Sequence, residues 1–424
     1  MARINPTYRT LSAGYLFPEI ARRVREFEQS HPGASVHRLG IGNTTQPLTP
    51  TVVAGLHQRV VALSTAAGYS GYGDEQGESA LREAIVAQYA RRGVELDPSE
   101  VFVSDGAKAD AANLQGLFAP DSVVAVQNPA YPVYVDSTVV HGRTGEPDQA
   151  TGAYAGIVLL EGSPENDWLA EPPADGTTAD VVYLCSPNNP TGAVATHEQL
   201  TAWVAWARAH DAVILFDAAY ADYITDDSLP RSIYEVPGAT ECAIELTSLS
   251  KTAGFTGVRL GWSIVPRALR VADSEPGELN RMWNRRQSTF FNGASNIAQS
   301  GAVAALSDAG RAESAELVAG YMANAATIRN ALVSMGLEVT GGDNAPYLWV
   351  RCPQGLGSWE FFDRLLEQAQ VVVTPGVGFG SAGEGYVRFS AFGQAEDIEA
   401  AVASLRNHAD ALLAPAPSAA PVAG

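Results

Sequence analysis

The sequence predicts an α/β fold: a mostly parallel sheet with helices on both faces, accompanied by a smaller unit. Three observations predict it. Between residues 101 and 265, short apolar runs alternate with helical stretches, the pattern of repeated βαβ units. The carboxyl ends of those runs repeatedly carry polar residues, at the sheet edge where ligands of open α/β sheets gather. The chain has 424 residues, with 46% hydrophobic and 17% charged, which suits a large α/β unit plus a second one and does not suit disorder.

Composition excludes some functions. A net charge of −20 argues against a nucleic-acid partner. Cys185, Cys242 and Cys352 stand apart in apolar contexts, with neither disulfide nor metal spacing, as expected in a reducing compartment. No apolar run reaches membrane-spanning length, and the N-terminus lacks a signal-peptide layout. The expectation is a soluble, cytoplasmic protein with no resident metal.

Taken in order, Leu16, Phe17, Ile20, Val24 and Phe27 have helical spacing, so an amphipathic helix follows an irregular arm carrying Tyr8 and Tyr15. Leu39–Asn43 reads as a short buried strand whose Gly40 and Gly42 either bend the chain or let backbone approach a ligand. Residues 51–63 and 79–91 read as helices. Between them, Tyr72-Gly-Asp-Glu75-Gln-Gly77 is either a connector or a loop presenting Tyr72 and Glu75 to a site. Ser104-Asp-Gly106-Ala107-Lys108 joins a strand to a helix whose first amides can hold an anion, although most such joints bind nothing.

Ser122–Gln127 reads as a strand, with Tyr131 just beyond its end as a ligand contact or ordinary packing. Residues 145–180 give few signals. Val181–Ser186 is a strand leading into a rigid Pro-Asn188-Asn189-Pro turn, which fixes the direction of the Asn189 amide. Ala212–Asp217 is an apolar strand ending in a carboxylate. A charge there needs a cationic partner, and the competing role is a helix cap. Residues 281–291 are basic and helical and break at Asn292-Gly, and residues 297–333 suit one long helix bridging two domains. Arg388, in a strand after a Gly-rich loop, is either a clamp for a carboxylate or a surface residue. The Ala/Pro-rich tail is low in complexity. The resulting division is an N-terminal arm over 1–47, a large domain over 48–296, a small domain over 297–410 and a disordered tail over 411–424.

The chain is organised around Ser248-Leu-Ser-Lys251-Thr-Ala-Gly-Phe-Thr-Gly-Val-Arg259, read as strand, tight loop, strand. A desolvated lysine near other cations loses its proton and becomes a nucleophile suited to a Schiff base. Ser248 and Arg259 add a hydroxyl and a cationic fork, suited to a phosphate monoester. A lysine beside a phosphate cup suggests pyridoxal 5′-phosphate, and a carboxylate at Asp217 would pair with the nitrogen whose protonation makes that cofactor an electron sink. The plain alternative is a surface lysine with an unrelated arginine.

With these stretches assembled, the sequence resembles the fold-type I aminotransferases that use pyridoxal phosphate, and within them the LL-diaminopimelate aminotransferases. The resemblance runs from about Ile4 to about Leu405. It rests on the motifs above and on Tyr131-Pro-Val-Tyr134-Val, Phe216-Asp-Ala-Ala-Tyr220, Asn344-Ala-Pro-Tyr347 and Arg388-Phe-Ser-Ala-Phe-Gly. It implies a seven-stranded sheet in the large domain and a small α+β domain from both chain ends. It implies that Lys251 forms the Schiff base and shuttles the proton, with Asp217 at the pyridinium nitrogen. Tyr220 and Asn189 would bond the ring oxygen, and Tyr131 would stack on the ring. Gly106, Ala107, Lys108, Ser248, Arg259 and Tyr72 would hold the phosphate. Arg388 would bind the substrate carboxylate with Asn189, while Tyr15, Gly42, Glu75, Lys108 and Asn292 would line the substrate's site. Tyr72 and Glu75 would come from a second copy, which implies a homodimer with shared sites acting on an amino acid and a keto acid.

The sequence departs from the family where Gly-Asp-Val-Thr-Arg-Pro becomes Gly42-Asn43-Thr-Thr-Gln46-Pro. Asp74 replaces a proline, and Phe290 a lysine. The implied reaction is amino transfer between LL-diaminopimelate, or a related basic amino acid, and 2-oxoglutarate. The departures leave room for elimination, replacement or carbon–carbon bond formation with the same cofactor. A third reading is a regulator that binds the cofactor or an amino acid, against which stand Lys251 and the lack of a DNA-binding extension.

Overall fold

The computed structural model describes residues 1–11, 16–148, 154–173 and 176–415. Its strands are β1 (His37–Arg38), β2 (Val101–Ser104), β3 (Val124–Asn128), β4 (Ile157–Glu161), β5 (Val181–Cys185), β6 (Val213–Asp217), β7 (Ala243–Ser248) and β8 (Gly261–Ile264). They continue with β9 (Val339–Gly341), β10 (Tyr347–Arg351), β11 (Val371–Val372), β12 (Thr374–Pro375) and β13 (Tyr386–Ser390).

Seven of these form the large sheet, in the order β2-β8-β7-β6-β5-β3-β4. From β7 to β4 every neighbour is parallel, and β8 alone runs antiparallel, between β7 and β2. β2, β3, β5 and β6 are buried at every residue, because helices cover both faces of a parallel sheet. Their carboxyl ends share one edge, and register places Cys185 beside Asp217 and Ser248 beside Gly261. A four-stranded antiparallel sheet, β12-β13-β10-β9, brings Arg388 opposite Trp349, and β1 pairs with β11. Thus both chain ends build the smaller sheets, as expected.

Several boundaries differ from the sequence reading. The strand expected at 39–43 lies at His37–Arg38, because Leu39 onward turns in to meet the cleft. β4 lies in the stretch that gives few signals. As the edge of the sheet it buries only Ile157 and Leu160 well, so its pattern is weak. The long helix expected over 297–333 is two, Asn296–Leu306 and Asp308–Ser334. Ser307 ends one and caps the other, its side chain accepting from the Gly310 amide. Lys251 sits not in an open loop but in the helical turn Leu249–Thr252, capped by Ser248. Ala409–Leu413 is a helical turn with Leu412 buried, and the tail from 416 lies outside the described residues. Among the described residues no helix is long and apolar enough to cross a membrane.

Candidate active site

A cleft of about 420 Å³ opens at the carboxyl edge of the large sheet. Its floor is built from strand ends, and its far wall comes from β10 and β13. Gly42, Ala107, Lys108, Tyr131, Asn189, Asp217, Tyr220, Ser248, Lys251, Arg259 and Arg388, each singled out from sequence, all line it.

Asp217 ends β6 and is buried. Its oxygens accept from the Tyr134 hydroxyl at 2.7 Å and the Ala219 amide at 3.0 Å. Among the described residues no cation pairs with it. Burial raises its pKa, and these two hydrogen bonds only oppose that rise. It is therefore not a mere helix cap.

Lys251 donates from Nζ to the Gly42 carbonyl. Burial chiefly, then the charges of Arg388 and Arg259, bring its pKa down to about 8. A lysine whose folded pKa lies below its unfolded 10.5 costs stability in full below about pH 8. The unfolded chain binds the extra proton between about 8 and 10.5, so stability rises with pH across that window. Cofactor-free Lys251→Met protein is accordingly expected to be more stable than the unaltered protein at pH 7, by up to about 3 kcal/mol. The gap should close toward pH 10.5. Denaturant unfolding at several pH values checks this, and a gap independent of pH contradicts it.

Arg388 is buried on β13. It donates to Asn189 Oδ1 at 2.6 Å and to the Gly40 carbonyl at 2.7 Å, and its Nε has no partner among the described residues. It is a fixed cation with a donor to spare, not a surface residue.

The opposite end of the cleft is a helix start. Gly106 adopts φ 134° before the helix Ala107–Asn113, and a side chain there would collide with Arg259 Nη2. Arg259 itself has φ 71° and is held by Ser250 Oγ and the Thr256 carbonyl. Amides, hydroxyls and a guanidinium thus converge on one spot, which suits a phosphate.

Three expected residues do not line the cleft of their own chain, and of these Tyr72 and Glu75 are the two expected from a second copy. Tyr72 is exposed and Glu75 half-buried, and Asn292 is exposed with φ 65°. They form a second cluster: Gly293 packs against the backbone of Asp74 and Glu75, and Asn296 bonds Ser70 and Gly71. Tyr15 lies outside the described residues. The departures from the family pattern also avoid the cleft, apart from Asn43. Asp74 pairs with Arg82 at 3.6 Å, Gln46 bonds Gln394, and Phe290 is exposed. Sequence reasoning gives no role to Tyr134, Cys185, Ser250, Thr256 and Tyr347, which line the cleft. A signal exists for two of them: Tyr134 and Tyr347 close the legible motifs Tyr131-Pro-Val-Tyr134 and Asn344-Ala-Pro-Tyr347.

Comparison with known proteins agrees with this geometry. Residues 34–405 match the family model described as aminotransferase class I and II. The chain belongs to the aminotransferase class I and II family. L,L-Diaminopimelate aminotransferase from Chlamydomonas reinhardtii is 45% identical, with a TM-score of 0.90, over 96% of this chain and 98% of that one. Substrate-bound BacF from Bacillus subtilis is 28% identical, with a TM-score of 0.80, over 98% and 99%. Aromatic aminotransferase from Pyrococcus horikoshii is 26% identical, with a TM-score of 0.76, over 92% and 98%. The protein is a transaminase dependent on pyridoxal phosphate, and its substrates are an amino acid and a keto acid. The residues of the cleft fit that cofactor: a buried carboxyl that no cation among the described residues pairs with, a lysine of lowered pKa and an anion cup at a helix start.

Proposed function

We propose that this transaminase moves an amino group between LL-diaminopimelate, or a closely related diamino acid, and 2-oxoglutarate. The observation that carries the reading is the meeting of Lys251, Asp217 and Arg388 in one cleft. Likeness to the algal diaminopimelate enzyme supports the choice of substrate.

Asp217 would face the pyridinium nitrogen, with Tyr134 orienting it. Asn189 and Tyr220 would bond the ring oxygen, and Tyr131 would lie against the ring. Ala107, Lys108, Ser248 and Arg259 would hold the phosphate, with Gly106 letting Arg259 approach. The bound cofactor supplies an electron sink for the pair left when the α-proton departs. Arg388 would fix the substrate carboxylate, and so orient the α-proton toward Lys251. Lys251 Nζ would then take that proton and return it on the cofactor's side of the substrate nitrogen, work suited to an amine whose pKa is near 8.

We also propose a homodimer in the cytoplasm. Exposed Tyr72 and Asn292 and half-buried Glu75 lie off the cleft of their own chain, which suits residues offered to a second copy. Three free, buried cysteines suit a reducing compartment. The distal end of a diamino diacid carries both charges, and Lys108 with Glu75 offers the opposite pair.

Steady-state assays with 2-oxoglutarate test the substrate. LL-diaminopimelate is expected to exceed L-lysine, which lacks the distal carboxylate, by about 100-fold in kcat/KM. Equal values for the two donors contradict the choice of LL-diaminopimelate and leave only a donor without a distal carboxylate. Of the departures behind the sequence argument for a diverted reaction, Gln46, Asp74 and Phe290 lie outside the cleft of their own chain and Asn43 lines it.

A further inference from the structure

Tyr347 has no part in the assignments above, yet it touches three of them. It opens β10 and is buried. Its hydroxyl lies 2.8 Å from that of Tyr220. The Arg388 guanidinium carbon sits 4.3 Å from the centre of its ring. Its hydroxyl also fills the space that a side chain on Gly42 would need, and the Gly42 carbonyl accepts from Lys251. Phe392 packs edge-on against the ring, with centroids 6.0 Å apart.

Of two bonded phenols, the one nearer a cation has the more acidic proton and is the better donor. Burial raises the pKa of both, and the Arg388 charge is the main influence opposing the rise at Tyr347. With Tyr347 as the donor to Tyr220, the Tyr220 proton is left to point into the cleft.

We propose that Tyr347 is a positioning residue: its hydroxyl aims and strengthens Tyr220 as a donor, and its ring holds the plane of Arg388. This rests on the reading that Tyr220 bonds the cofactor's ring oxygen and Arg388 the substrate carboxylate. A donor to that oxygen favours its anionic form, so a weakened donor raises the pH at which the bound cofactor's visible absorbance titrates.

The test is that titration on the holoenzyme and on Tyr347→Phe, Tyr220→Phe and the double variant. Tyr347→Phe removes one oxygen and keeps the ring. Its midpoint is expected to move up by about half to one pH unit, with KM for the amino acid little changed. Tyr220→Phe should move it too, and the double variant should move no further than Tyr220→Phe alone. Tyr347→Leu, which also loses the ring, should raise KM about tenfold. An unmoved midpoint in Tyr347→Phe beside a moved one in Tyr220→Phe overturns the proposal and leaves the reading of Tyr220 intact. A Tyr347→Phe shift that persists in full without the Tyr220 hydroxyl also overturns it. An unmoved midpoint in Tyr220→Phe overturns both.

Discussion

Lys251→Ala is expected to lower turnover by on the order of 10⁴-fold or more, because in the proposed role one amine both forms the Schiff base and moves the proton. The loss is expected without unfolding. Lys251 is a buried amine whose lowered pKa marks the cost of desolvating its charge, so its removal relieves that cost at neutral pH. Transaminase assays beside thermal unfolding separate the two effects. An added small primary amine is expected to restore part of the rate, since the proton-transfer role needs a base and not a tether. Retention of activity within about tenfold would show that Lys251 is not the base.

Arg388→Lys keeps the charge and loses the fork. The guanidinium is held by Asn189 and Gly40 and lies against Tyr347 and Phe379, with Nε still unpartnered among the described residues. A lysine cannot reproduce two parallel donors in that plane. The expected cost is about 100- to 1000-fold in kcat/KM, mostly through KM, because the carboxylate is bound before and during the reaction. Keeping the positive charge also leaves most of its influence on Lys251 in place. Unchanged KM for every amino acid would mean that the carboxylate is held elsewhere.

Much of this is legible in the sequence, for physical reasons that differ by position. Buried parallel strands announce themselves as unbroken apolar runs, so Val181–Cys185 and Val213–Asp217 read nearly to the residue. The chemistry at their ends is legible because charged or amide side chains are costly there without a partner. Edge strand β4 is not, because several of its residues face outward. The break at Ser307 escapes because a cap is one residue inside a run of good helix formers. Tyr134 and Tyr347 escape as functional residues because an aromatic residue beside apolar neighbours reads as packing. Only the fold puts one hydroxyl on Asp217 and the other on Tyr220. Tyr72, Glu75 and Asn292 are legible as site residues by type alone, and none of them lines the cleft of its own chain.

The central claim is tested most directly by mixing the cofactor-loaded protein with LL-diaminopimelate in the absence of any keto acid. The account predicts loss of the cofactor's visible absorbance and release of one matching keto acid per site, after which the reaction stops until 2-oxoglutarate is added. Continued turnover without an acceptor, or release of a side-chain fragment with the absorbance unchanged, would contradict it.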